Sequence, residues 1–393
     1  MRIDFDSRSA SRLFSGMVLG GLVVYALSST VTISGVTLGL ILASIGWIGS
    51  IVLRKARFKF TLVTLLPLVF LFTMLISAAQ SGAMATGLSR SRSMAASILL
   101  YYVVVSKSLP KRGLRGLAGG VVAGAVIAAV YQLIMLAFNI SRLQELSLNR
   151  ALGGMLGMVI PFSMSLMLIE SKRPYRNILA FSLLLMIIVL ILTSTRGAWV
   201  GCLIGVSLLG VLRDKRILFF LPLVVVLFVV LLPKMQFRRA LDLFDPTDST
   251  VRKRVLLWQS ALSMAKEDVL FGKGPGSYKL LYREHLPEGT AEVIRSDHSH
   301  AHNIFIHTFA ETGVIGVSAL AILLGVAVGW VWKVYRRLSD PWLGAMTVGI
   351  LAGVVDFLVH GQVDYTLAGR TGFLFWFYLG MVHQTEIGAI EDA

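Results

Sequence analysis

Charge is scarce in this chain: Lys, Arg, Asp and Glu make up 15% of its 393 residues, whereas about a quarter is usual for a soluble domain. Water-soluble fold classes are excluded on that ground. Cysteine is almost absent. Cys202 stands alone inside an apolar run, so no intrachain disulfide exists, the redox compartment is not readable, and the residue is expected to serve packing. The alternating segments of about 10 residues that mark a membrane β-barrel are missing, as is a small-residue cleavage signature after MRIDFDSRSASR. The N-terminus therefore reads as a cytoplasmic tail. What the chain does have is 56% hydrophobic residues and a mean hydropathy of +0.77. Its net charge of +16 comes from short basic clusters between apolar runs. With no nucleic-acid-binding motif present, that pattern points to membrane topology and excludes a nucleic-acid partner.

A helix needs roughly 20 apolar residues to cross about 30 Å of hydrocarbon. The runs predict about twelve spans: Leu13 to Leu27, Gly35 to Leu53, Phe60 to Ala78, Ser93 to Val105, Gly113 to Phe138, Leu152 to Ile169, Ile178 to Leu192, Ala198 to Leu212, Ile217 to Leu232, Ile304 to Val331, Leu343 to Val359 and Leu367 to Val382. With the N-terminus inside, the basic clusters at Arg54 to Lys59, Lys107 to Arg115, Lys172 to Arg176, Arg213 to Arg216 and Lys333 to Arg337 all fall inside. The short outer segments hold only Arg90, Arg92, Arg142, Arg150, Arg196 and Arg370. The positive-inside rule then sets both termini in the cytoplasm. The expected fold is an all-α polytopic bundle, one integral membrane domain over 1–393, with a large periplasmic loop from about 234 to 301 between spans nine and ten. Within that loop, Val255, Trp258, Leu262, Ala265 and Val269 recur at helical spacing, which predicts an amphipathic helix over 251–271 lying on the membrane or capping the bundle.

Several outer-face residues could carry chemistry. Arg196, in LTSTRGAW, sits at a span boundary, where a guanidinium binds a carboxylate or phosphate, or merely lipid headgroups. Arg254 has Trp258 one turn on, with Arg252 and Lys253 beside it; a solvated basic face is the plainer reading. The glycines of FGKGPGSY, Gly272, Gly274 and Gly276, match no phosphate-binding fingerprint, so a structural turn is favoured over a phosphate cradle. The densest polar cluster is SDHSHAHNIFIH, with Asp297, His298, His300, His302 and His307. It offers metal ligands, a general base, or simply a polar start to a helix capped near Asn303. Asp356, His360, Asp364 and Arg370 gather at the same level, where ionisable groups are functional candidates or pair with the arginines. The only D-x-D-like triplet, Asp4-Phe5-Asp6, is on the inner side, which favours a mechanism without a metal.

Taken in order, Thr195-Arg196-Gly197, Arg254 with Trp258, FGKGPGSY, and His302-Asn303 followed by Gly313 and Gly316 resemble the O-antigen ligase and O-antigen polymerase family. The resemblance spans about Thr193 to Gly316, with an echo in LVHGQVDYT. It implies a metal-independent, inverting membrane glycosyltransferase of GT-C-like fold that needs no cofactor and takes an undecaprenyl-diphosphate-linked glycan as donor. The acceptor would be lipid A–core for a ligase or a growing glycan for a repeat-unit polymerase, with membrane lipids as further partners. By motif, Arg196 and Arg254 would hold the diphosphate and His302 would act on the acceptor hydroxyl. Arg252, Asn303, His298, His300, Arg370 and Asp364 would contact diphosphate or glycan. A transporter of lipid-linked oligosaccharide is the alternative from another class; its usual mark, ionisable groups on broken helices at the bilayer midplane, contrasts with charges that here line the outer boundary.

Overall fold

The computed structural model describes residues 7–53, 61–106, 109–138, 147–231, 249–294 and 297–391. Arg54 to Lys59, Lys107, Arg142, the Asp4-Phe5-Asp6 triplet and residues 234–248 of the long loop lie outside them. Among the described residues the chain is helical and has no strand. The helices are α1 (Ser7–Ser28), α2 (Ile33–Val52), α3 (Leu62–Gln80), α4 (Met84–Val105), α5 (Lys111–Phe138), α6 (Ser147–Ile169), α7 (Arg173–Leu192), α8 (Arg196–Leu212), α9 (Arg216–Leu231), α10 (Ser249–Glu267), α11 (Ile304–Arg337), α12 (Pro341–His360) and α13 (Gly369–Glu391).

Each apolar run read as a span corresponds to one helix among the described residues, although end residues such as Leu53, Leu367 and Ala368 fall just outside the helices, and Phe60 and Leu232 lie outside the described residues. Eight helices, α1 to α3, α5 to α7, α11 and α12, are long and apolar enough to cross a membrane; α8 is apolar but shorter. Some ends differ from expectation. α4 begins at Met84 rather than Ser93, so Arg90 and Arg92 are helical, and α13 runs on to Glu391. Hydropathy detects only the hydrocarbon-crossing part of a helix, and both extensions are polar. The amphipathic helix of the outer loop is α10, which stops at Glu267 because the residues after it turn sharply through Gly272.

α6 and α12 form the interior: 78% of each one's apolar stretch is buried, against about a third for α1, α2, α5 and α11. Peripheral helices leave Ile41, Phe72, Phe138 and Phe181 exposed, the surface that lipid would cover. Burial between helices of equally apolar surroundings relies on close packing, and small residues allow it. In α8, Gly197, Gly201 and Gly205 recur every four residues and so share one face. A methyl group added at Gly201 would lie 2.4 Å from Asp356 Oδ1, and one at Gly205 would lie 2.7 Å from the Ala352 carbonyl, both on α12. From α6, Gly154 approaches the same His360 that Gly197 meets, and Gly157 approaches Asp356. This contact of α6, α8 and α12 sets the floor of the polar cluster described next.

α11 is broken near its start. Gly313 has φ +64° and ψ −168°, a conformation open to glycine but strained for other residues. A methyl group there would meet the Leu270 carbonyl oxygen at 2.2 Å, and Val314 N–H donates to the Val269 carbonyl instead of within the helix. The turn of FGKGPGSY fills the break, with Gly272, Gly274 and Gly276 all at positive φ. Lys273 and Gly274 N–H donate to the Ala310 and Glu311 carbonyls, Tyr278 N–H donates to the Glu311 carboxylate, and Ser77 Oγ–H donates to the Glu311 carbonyl. These donors are spent on α11, so the glycines build a structural turn, the reading favoured from the sequence.

Candidate active site

The segment before α11 is pinned by Asn303. Its side-chain oxygen accepts from Phe305 and Ile306 N–H, both at 2.9 Å, capping the helix. Its amide nitrogen donates to the Gln362 carbonyl at 3.0 Å, and Ile304 N–H donates to the Gly361 carbonyl at 2.8 Å. These bonds stitch the start of α11 to the end of α12, and they carry the preceding histidines onto the turn that holds Asp364. Asn303 is thus occupied as a cap, which is the plain reading of that residue.

His302 adopts φ +53°, rare for a residue with a side chain and costly unless its surroundings enforce it. The enforced result is a histidine cluster around one carboxylate. Asp364 Oδ1 accepts from His302 Nδ1 and His300 Nε2, each at 3.1 Å, and from Tyr365 N–H at 2.8 Å. His360 Nε2 stands 3.6 Å from Asp364 Oδ2. The His300 and His302 rings are 4.4 Å apart, with His298 5.7 Å from His302. Burial alone would raise Asp364, but the three imidazoles outweigh it and hold the carboxyl well below the usual carboxylate range. For His302 the order is reversed. Burial, with the charges of His300 and Arg254, pulls it below the usual imidazole value against the raising effect of Asp364. Burial, with the charges of His302, His300, Lys253 and Arg283, pushes His298 down to about 4.

The imidazoles are not equivalent. His300 uses both nitrogens, Nε2 toward Asp364 and Nδ1 toward Ser299 Oγ at 2.9 Å. His307 accepts from Ala301 N–H and faces Glu311 at 3.4 Å. His302, one-fifth exposed, is anchored through Nδ1 and finds no hydrogen-bond partner for Nε2 among the described residues. An Nδ1–H bound to a carboxylate fixes the tautomer that leaves a lone pair on Nε2.

Arg196 heads α8, and the adjacent Gly197 is pressed against His360 and Val363, where a methyl group would come within 2.7 Å of the imidazole. Arg254 lies in α10, half-buried, close enough for its charge to act on His302. Arg252 is exposed, since two residues of helix turn it about 200° away from Arg254. The structure therefore separates two arginines that the sequence left competing. Arg370 does not join the cluster: its guanidinium donates to the Thr30 carbonyl at the end of α1, at 2.6 Å. Asp356 also departs from the expected pairing with arginines. It is fully buried a turn below His360, and neither oxygen has a hydrogen-bond partner among the described residues.

Two contributors were not singled out in the sequence. Arg90 of α4 packs across Gly276, where a methyl group would lie 2.9 Å from its Cγ, and its charge reaches Tyr365, opposing the rise that burial causes there. Glu311 fastens the turn. Arg90 was legible as an outer-face arginine, but not as a neighbour of a tyrosine 275 positions away.

His300, His302 and Asp364 present ligand atoms all within 4.8 Å of one another, a spacing that could hold a metal ion. Here the three satisfy one another by hydrogen bonds. The arrangement as a whole offers a carboxylate-anchored imidazole that feels the charge of Arg254, with Arg90 acting on the neighbouring Tyr365. Residues 181–321, which hold α8, α10, the turn and the start of α11, match the family model described as O-antigen ligase. No curated protein matches the chain. The match over that stretch supports placing the chain with the O-antigen ligase and polymerase family.

Proposed function

We propose that the protein is a metal-independent, inverting glycosyltransferase that moves a glycan from undecaprenyl diphosphate to an acceptor hydroxyl at the periplasmic face. Its bundle would have about twelve crossings and a GT-C-like arrangement, with both termini cytoplasmic. The observation that carries the reading is the His302–Asp364 pair, which leaves Nε2 basic beside arginines.

His302 Nε2 takes the proton of the acceptor hydroxyl as its oxygen attacks the anomeric carbon. The bond from that carbon to the diphosphate oxygen breaks on the opposite side, so one displacement inverts the centre. The electron pair leaves on the diphosphate, whose charge Arg196 and Arg254 neutralise; Arg90 adds a third cation. Asp364 keeps the ring oriented and stabilises the imidazolium that forms. His298, His300 and Arg252 line the approach to donor or glycan.

The ligase reading takes lipid A–core as acceptor. A growing glycan would undergo the same step in a polymerase, and the acceptor decides between them. The test is transfer by purified protein from a defined undecaprenyl-diphosphate glycan to lipid A–core and to a second donor-linked glycan. Product on lipid A–core, undiminished by EDTA, is the expected result. Inhibition by EDTA that a divalent ion restores would overturn the metal-free mechanism, and product on the second glycan alone would make it a polymerase.

A further inference from the structure

The other end of the α11–α12 hairpin carries a second polar site. α12 joins the two ends over 20 residues, so this site lies ~30 Å from the histidine cluster at 1.5 Å per residue. There the turn between α8 and α9 packs on α12 through Leu209, Ile217, Val348 and Ala352, with Tyr335 against them. A cavity of about 400 Å³ opens between these elements, lined among others by Arg213, Tyr335, Arg336, Ser339 and Asp340.

The charge of this cavity is unbalanced. Its one carboxylate is committed: Asp340 accepts Trp342 and Leu343 N–H at 2.9 Å as the cap of α12 and is bonded to Lys111. Those contacts outweigh its partial burial and hold it below the usual carboxylate range. Half-buried Arg213 forms no ion pair among the described residues, and Arg336 has only the Trp332 ring, 5.9 Å away. Two guanidiniums in a concave site bind a phosphate well. The framing helices also expose Val211, Phe219 and Trp332, an apolar and aromatic surface that suits acyl chains beside a headgroup.

We infer that this cavity binds the phosphate of an anionic phospholipid, with Arg213 and Arg336 as its ligands, at the membrane face opposite the histidine cluster. A free phosphate ion offers the same headgroup chemistry without the chains, and the exposed apolar rim argues for the lipid.

The test is native mass spectrometry of the full chain, released from detergent after titration with phosphatidylglycerol, phosphatidylcholine or inorganic phosphate. Wild type should retain phosphatidylglycerol at least about tenfold over phosphatidylcholine, equivalent to about 1.4 kcal/mol, and should not retain inorganic phosphate. Arg213→Gln with Arg336→Gln should remove that preference, whereas Arg213→Lys with Arg336→Lys should keep most of it. Both double variants should elute as wild type in size exclusion. Equal retention of the two lipids by wild type, a preference unchanged in the Gln variant, or retention of inorganic phosphate at the same level each overturns the inference. Loss of glycan transfer is not a readout here, so failure of the transferase reading would leave this result standing.

Discussion

At one end of the α11–α12 hairpin, three imidazoles crowd a single carboxylate, and burial pulls His302 below the usual imidazole value. At the other, guanidiniums face a carboxylate that Lys111 has already neutralised. The difference is one of protonation. The histidine end carries side chains that can take up a proton; the arginine end is permanently cationic and can only attract. On the proposed reading, the same hairpin would support chemistry at one end and lipid binding at the other.

The largest effect that would break this contrast is on His302. Replacing it with Ala should lower transfer by ~10²–10⁴-fold, the usual worth of a positioned acid–base group, with the protein still in the membrane; a radiolabelled-glycan transfer assay on purified protein checks it. Arg196→Ala and Arg254→Ala should each cost ~10²–10³-fold in rate, as for the loss of a group that stabilises developing charge, whereas Arg213→Gln with Arg336→Gln should leave transfer unchanged.

Asp364→Asn sharpens the comparison through pH. A neutral base works above its pKa, and His302 lies below the usual imidazole value, so the acid limb of the transfer rate should fall below about pH 6.5. Removing Asp364 takes away the effect that raises His302. The limb should then move to still lower pH while the maximal rate falls on the order of 10²-fold at most. A purely structural Asp364 would lower the rate without moving the limb.

Gly201→Val should cost ~1–3 kcal/mol by overpacking against Asp356, seen as a lower melting temperature in detergent. Smallest of all is Lys111→Met at the arginine end. Its partly exposed pair with Asp340 is worth less than ~1 kcal/mol, and melting should barely shift.

Much of this was legible in the sequence because membrane helices announce themselves by hydropathy. Both interior helices, α6 and α12, were read as spans, but nothing in their hydropathy set them apart from peripheral ones. The signal was small residues four apart, Gly153 and Gly157 in α6 and Gly349 and Gly353 in α12, each pressed against a neighbouring segment, which a hydropathy reading passes over. In the site, His302, Arg196 and Asp364 could be named from local pattern. The pairing of Asp364 with His302 could not. Asp364 reaches His302 across 62 residues only because Asn303 and Ile304 bind the turn at Gly361 and Gln362. Helical geometry likewise ranks Arg254 over Arg252, and the hydrogen bond to Thr30 removes Arg370, both invisible until the chain is folded.

The most direct measurement is the pH dependence of glycan transfer by purified wild type and His302→Gln, from the same undecaprenyl-diphosphate donor. The account predicts that the wild type shows an acid limb below pH 6.5 and that His302→Gln is nearly inactive at every pH while still binding donor. A His302→Gln enzyme that transfers at the wild-type rate with the same acid limb would contradict it.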